Sequence, residues 1–73
     1  MTEFKRYLEE VVDNYDENYP RLSWGQCYTN VLSRYQPNLL LKVFKEGELV
    51  PFYNERIIPE FLIYVKENWG VYD

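Results

Sequence analysis

Cys27 is the only thiol in this chain, and there is no histidine. Nucleophilic chemistry at Cys27, at a serine or at a threonine would have to take its base from carboxylates and lysines, because the usual imidazole partner is missing. Cys27 also falls on the apolar side of a helical repeat, where a small buried hydrophobe is the ordinary occupant and a reactive thiolate is not. A lone cysteine excludes an internal disulfide, and without histidine the common zinc and haem ligand sets cannot be assembled. The carboxylates are many but poorly arranged for a cation. Residues 13–18 lack the alternating acids and the sixth-position glycine of a calcium loop. No glycine-rich turn is present to cradle a phosphate. The expectation is a chain that is not an enzyme, with no catalytic residue, no cofactor and no metal.

The segment from Pro51 to Phe61 is chemically the densest. Its eleven residues hold three aromatics, two prolines, Asn54 and Arg56. A stretch without regular backbone pairing must still satisfy its amides and carbonyls, and long polar side chains can do so. Gln26, Asn30 and Arg56 are the candidates. The expectation is a proline-bracketed joint: Phe52 inserts between the first two helices, Asn30 or Gln26 bonds the backbone between Phe52 and Arg56, and Arg56 pairs with a carboxylate.

The elements that would position these residues follow from apolar spacing. Phe4, Tyr7, Leu8, Val11, Val12 and Tyr15 recur on one helical face, which predicts a first helix from Glu3 to Asn18, with Thr2 as its cap and Pro20 closing it. Ser23-Trp24-Gly25-Gln26 has the form of a capping box and opens a second helix, whose face is Trp24, Cys27, Tyr28, Val31, Leu32 and Tyr35 and whose stop is Pro37. Gly25 in its first turn is open to two readings: tolerance near a helix end, or room for another backbone. Residues 38–46 are expected to form a third helix capped by Asn38 and ended by Gly47. The alternative is a hairpin over 39–53, which would make the chain α+β. Pro59 suits the first position of a last helix, with Ile58, Phe61, Leu62, Val65 and Trp69 as its stripe and Gly70 as its stop. The predicted fold is all-α, a small bundle of three to four short helices with one ordered loop, forming a single domain over residues 1–73.

Arg21, Trp24-Gly25-Gln26, Asn30 and Leu32, followed by Pro51-Phe52-Tyr53-Asn54, Arg56-Ile57, Pro59 and Phe61, resemble a group of short uncharacterised phage and bacterial proteins over residues 21–69. That group reads Arg-x-Gly-Gln, then Asn-x-Leu, then Asp-Pro-Phe-Tyr-x-Asp-x-Arg-Ile-Pro-x-Phe. Here Val50 stands in place of the acid before Pro51, Glu55 stands where aspartate is usual, and the acidic first helix is additional. The resemblance implies a phage or bacterial origin and no particular activity. It marks Trp24, Gly25, Gln26, Asn30, Phe52, Asn54, Arg56 and Pro59 as a structural signature.

Charge and surface bound the partners. Residues 1–19 carry six acids against Lys5 and Arg6, while residues 20–73 carry six of each sign, so the whole net charge of −4 lies at one end. Such a face repels phosphate backbones, so direct nucleic-acid binding is not expected. No apolar run reaches the length of a membrane span and the first residues do not read as a signal peptide, so a cytoplasmic protein is expected, in a host cytoplasm if phage-encoded. Fourteen aromatics exceed what one small core encloses. The leading expectation is a protein-binding module that uses Tyr53, Tyr64, Trp69 and Tyr72 as anchors for a host protein or a second copy, a homodimer being one form of this. The alternative is an acidic inhibitor that imitates nucleic-acid charge through Glu9, Glu10, Asp13 and Asp16 on the first helix.

Overall fold

Four α-helices and one 3₁₀ turn make up a computed structural model that describes residues 2–46, 50–52 and 54–72, with Thr2 and Glu46 as backbone only. No strand occurs among the described residues. The hairpin alternative fails where it would begin, because Leu39 to Glu46 is helical.

Helix α1 (Thr2–Asn18) already includes Thr2, so the helix starts earlier than a cap at that residue would allow. Its Tyr7 and Val11 are fully buried, and Phe4, Leu8 and Tyr15 pack around them. Val12, expected on the same face, is 47 % exposed instead. The arc from Phe4 to Tyr15 is wider than the contact with one neighbouring helix, and Val12 lies at its outer edge. The turn after α1 contains a cis Tyr19–Pro20 bond and is closed by the Arg21 amide donating to the Asn18 carbonyl (2.6 Å).

Helix α2 (Trp24–Tyr35) is the central element and packs against both α1 and its successor. Its start is the predicted capping box: the Gln26 amide donates to Ser23 Oγ (3.2 Å), and the Ser23 amide donates to Gln26 Oε1 (2.9 Å). Cys27, Val31 and Leu32 are its buried stripe. Pro37 ends α2 and at once begins α3 (Pro37–Glu46), since a proline costs nothing at a first helical position. Gln36 alone separates the two helices, so Asn38 lies within α3 and does not cap it. Leu39 and Val43 complete the core from this side. Gly47, expected to stop α3, lies outside the described residues, as does Tyr53.

The 3₁₀ turn (Glu55–Ile57) leads directly into α4 (Ile58–Glu67), with Pro59 in the first turn of α4. Phe61 and Val65 are the buried pair of α4, and Ile58, Leu62 and Trp69 are half-buried. The helix ends at Glu67, earlier than a stop at Gly70 predicts. Gly70 has φ +81° and lies in the turn that follows. No helix among the described residues is long and apolar enough to cross a membrane.

Candidate functional site: a backbone joint, a polar clasp and an apolar groove

The joint is real, but its fastening differs from the expected one. Gly25 is buried in the first turn of α2 with helical backbone, so conformation does not demand a glycine there; space does. A Cβ added to it would overlap the Pro51 carbonyl oxygen, stand 2.7 Å from the Pro51 carbonyl carbon and reach 3.4 Å from the Phe52 nitrogen. The connector backbone therefore lies directly on α2, and Pro51 is fully buried there. Beside it Glu55 accepts a hydrogen bond from the Trp24 amide (2.9 Å), placing a carboxylate at the free N–H groups that begin α2. Asn54 caps the 3₁₀ turn by accepting from the Arg56 amide (3.1 Å).

Among the described residues, Gln26, Asn30 and Arg56 do not supply the polar fastening predicted for this joint. Gln26 is committed to the capping box. Asn30 is exposed, and its carbonyl accepts from Ser33 Oγ (2.6 Å). Arg56 is exposed, and among the described residues it forms no ion pair. Phe52 is half-buried, while Pro51 is the connector residue that lies deepest. The close approach of the connector backbone to Gly25 and the Glu55 carboxylate on the Trp24 amide fasten the joint, while Asn30 and Arg56 are exposed. Trp24 has a different neighbour from the joint: its ring stacks on Tyr15 at 3.8 Å with 3° between planes, fixing the start of α2 to the end of α1.

A second constellation was not anticipated. Gln36, between α2 and α3, is a polar residue only 2 % exposed. Its Oε1 accepts from the Gly70 amide (2.9 Å), and its Nε2 donates to Glu3 at a long 3.5 Å. Glu3 also accepts from the Trp69 indole N–H (3.1 Å). Trp69 lies edge-on to Phe4 (5.3 Å between centroids) and tilted against Tyr7 (5.5 Å) and Tyr35 (6.2 Å). One amide side chain thus ties the first helix, the central junction and the C-terminal turn.

The aromatic interior shifts its own titrations. Tyr7 donates its hydroxyl to the Tyr28 carbonyl (2.8 Å). Burial, and secondarily the nearby Tyr28, push the Tyr7 phenol well above its ordinary value. Burial likewise raises Tyr28 and the Cys27 thiol. Tyr35 is raised chiefly because its hydroxyl donates to Glu10 (2.7 Å).

The acidic face is divided in use. Glu10 accepts from Tyr35 and lies 3.8 Å from Arg34, whereas Glu9, Asp13 and Asp16 are exposed. Among the described residues, no group of acids and cysteine is placed to hold a metal ion.

Of the four aromatics proposed as anchors, Tyr53 lies outside the described residues. Tyr64, Trp69 and Tyr72 are each half-buried against the core. Trp69 is part of the clasp. Tyr72 borders a surface groove of about 410 Å³ whose other walls are Asn38, Leu41, Lys42 and Lys45 of α3. Leu41 is 65 % exposed and Phe44, one turn on, 48 %. These two were missed, although their signal is visible: Leu39-Leu40-Leu41 and Val43-Phe44 put five apolar residues into six positions, more than a one-sided helix can bury. No protein family, curated protein or solved structure matches this chain.

Proposed function

We propose that this chain is a small protein-binding module of phage or bacterial origin, without catalytic activity, that receives an apolar segment of another polypeptide in the groove between α3 and the C-terminal turn. The observation that carries the reading is Leu41, 65 % exposed on α3, which lines the groove together with the half-buried Tyr72. Isolated exposed apolar residues are ordinary, but an exposed leucine and a tyrosine that share one groove, with Phe44 exposed on the same helix, support an interaction surface. Tyr72 supplies an aromatic anchor with a hydroxyl, a type enriched at binding hot spots. Origin rests on the Arg21-to-Phe61 pattern alone. The alternative, charge imitation by α1, draws on exposed Glu9, Asp13 and Asp16, and is weaker because Glu10 is engaged by Tyr35 and Arg34.

The test is site-specific photo-crosslinking in the producing cell, with the reactive residue placed at 41 and, as a control, at exposed position 30. Polypeptide adducts formed from 41 and not from 30 support the groove. Equal adducts from both positions, or none from 41, refute it.

A further inference from the structure

The rings that close the clasp are placed for a chemistry in which the groove has no part. Trp69 packs on two tyrosines, Tyr7 at 5.5 Å and Tyr35 at 6.2 Å between centroids, so an electron can pass between these rings without a bridging group. The indole and one of the phenols are also set against bases. Trp69 Nε1 donates to the Glu3 carboxylate (3.1 Å), and Tyr35 Oη donates to the Glu10 carboxylate (2.7 Å). Indole and phenol both become strong acids once an electron is removed, so the acceptor that each faces decides which ring keeps the loss. Tyr7 is the nearer tyrosine, but it is fully buried and its hydroxyl donates to the Tyr28 carbonyl (2.8 Å), an amide oxygen and a poor base. Its oxidation would leave a positive charge in the core, which is costly. Tyr35 instead hands its proton to a carboxylate already at hydrogen-bond distance. It is half-buried and borders a surface hollow of about 690 Å³ that Arg6, Val12 and Asp13 also line, so a small solute reaches it.

We infer that this protein takes up one-electron oxidation at Trp69 and delivers it to Tyr35, with Glu10 as the proton acceptor. The reactant class is a small one-electron oxidant, such as an inorganic radical. That oxidant takes one electron from the Trp69 indole and becomes its anion, while the indole N–H proton shifts to Glu3. An electron from Tyr35 then restores the indole, the proton returns from Glu3 to Nε1, and the phenolic proton of Tyr35 moves from Oη to Glu10. The sum is one electron and one proton lost from Tyr35, which leaves a neutral phenoxyl radical beside the hollow. A soluble thiol or phenol that gives up a hydrogen atom restores the hydroxyl, itself becoming the radical, and Glu10 returns its proton to water. The oxidising equivalent thus leaves the aromatic core for a place that solutes can reach.

Pulse radiolysis of the full chain in azide solution supplies the oxidant, because azidyl radicals take electrons from indole in preference to phenol and become azide. The chain has two tryptophans, so Trp24→Phe leaves Trp69 as the single indole and keeps a ring against Tyr15. The other changes are made in that background. The tryptophanyl absorption should decay as the tyrosyl absorption grows, at a rate independent of protein concentration. Tyr35→Phe and Glu10→Gln should each slow the conversion about a hundredfold or more, the low end of what a positioned base contributes to a proton transfer. Tyr7→Phe should leave the rate unchanged. Circular dichroism checks the helices in each variant, and Glu10→Gln, which keeps an oxygen to accept from Tyr35, should be native. Conversion as fast in Tyr35→Phe or in Glu10→Gln as in the parent overturns the inference. So does conversion that stops in Tyr7→Phe, that is absent from the parent, or whose rate rises in proportion to protein concentration.

Discussion

Replacing Gly25 with alanine should undock the connector from α2. The added methyl overlaps the Pro51 carbonyl oxygen and comes within 2.7 Å of its carbon, and both are backbone atoms that cannot swing aside as a side-chain tip could. Overpacking against well-fixed neighbours typically costs about 1–3 kcal/mol. Moving the connector also breaks the hydrogen bond from the Trp24 amide to Glu55, worth about 1 kcal/mol at an exposed site. Alanine returns about 1 kcal/mol of helix propensity. The net loss is about 1–3 kcal/mol, a large share of the roughly 4–11 kcal/mol expected for a domain of this size. Urea unfolding followed by far-ultraviolet circular dichroism measures it, and melting should fall by about 5–20 °C. Asn30→Ala, on the exposed side of the same helix, should raise stability by about 0.5 kcal/mol and serves as the control for propensity. A Gly25→Ala protein as stable as the parent, with an unchanged denaturant slope, refutes the close-approach argument.

Gln36→Leu should lose about 1–3 kcal/mol, because the Gly70 amide is left without its acceptor; amide exchange should show Gly70 losing protection before the middle of α2 does. Stability should decline in alkali. The Tyr7 phenol is raised in the folded state, so its contribution is complete below the unfolded tyrosine value of about 10 and is lost as pH rises from there towards the folded value. That group alone gives a slope of about 1.4 kcal/mol per pH unit, and Tyr7→Phe should remove it from a urea series run above pH ~10. Arg56→Leu should shift stability by no more than about 0.5 kcal/mol, since Arg56 is exposed and forms no ion pair among the described residues; a loss of several times that in the same urea assay would show a buried role for the guanidinium.

The helices were readable because each carries its own punctuation. Ser23 and Gln26 close a box specified within four consecutive residues, and Pro37 can only end one helix or begin another. Val12 was misplaced because periodicity gives the direction of a face but not its width, which is set by the neighbouring helices. At the joint, the sequence is compatible with two roles for Gly25, and the structure decides for close approach. The roles given to Asn30 and Arg56 assumed that an irregular segment must be held by side chains. Backbone resting on backbone leaves no such mark in the sequence beyond the glycine itself. Gln36 was unreadable for a related reason: its partners, Glu3 and Gly70, lie more than thirty residues away on either side. Leu41 and Phe44, by contrast, were present in the composition of α3 as an apolar surplus.

The clasp also fixes an order of events. The bond from Trp69 to Glu3 spans 66 positions, against 21 for that from Tyr7 to Tyr28. Loop-closure entropy grows with the logarithm of that span, so the longer closure is dearer by about 1 kcal/mol. The contact between α1 and α2 is the cheaper one to make and offers Trp69 the surface of Phe4, Tyr7 and Tyr35 on which to settle. The C-terminal turn should therefore be the last part of the molecule to lock during folding and the first to open in the native state. Tyr72 follows that turn directly, so the wall of the groove furthest from α3 stands on the hinge that opens most readily.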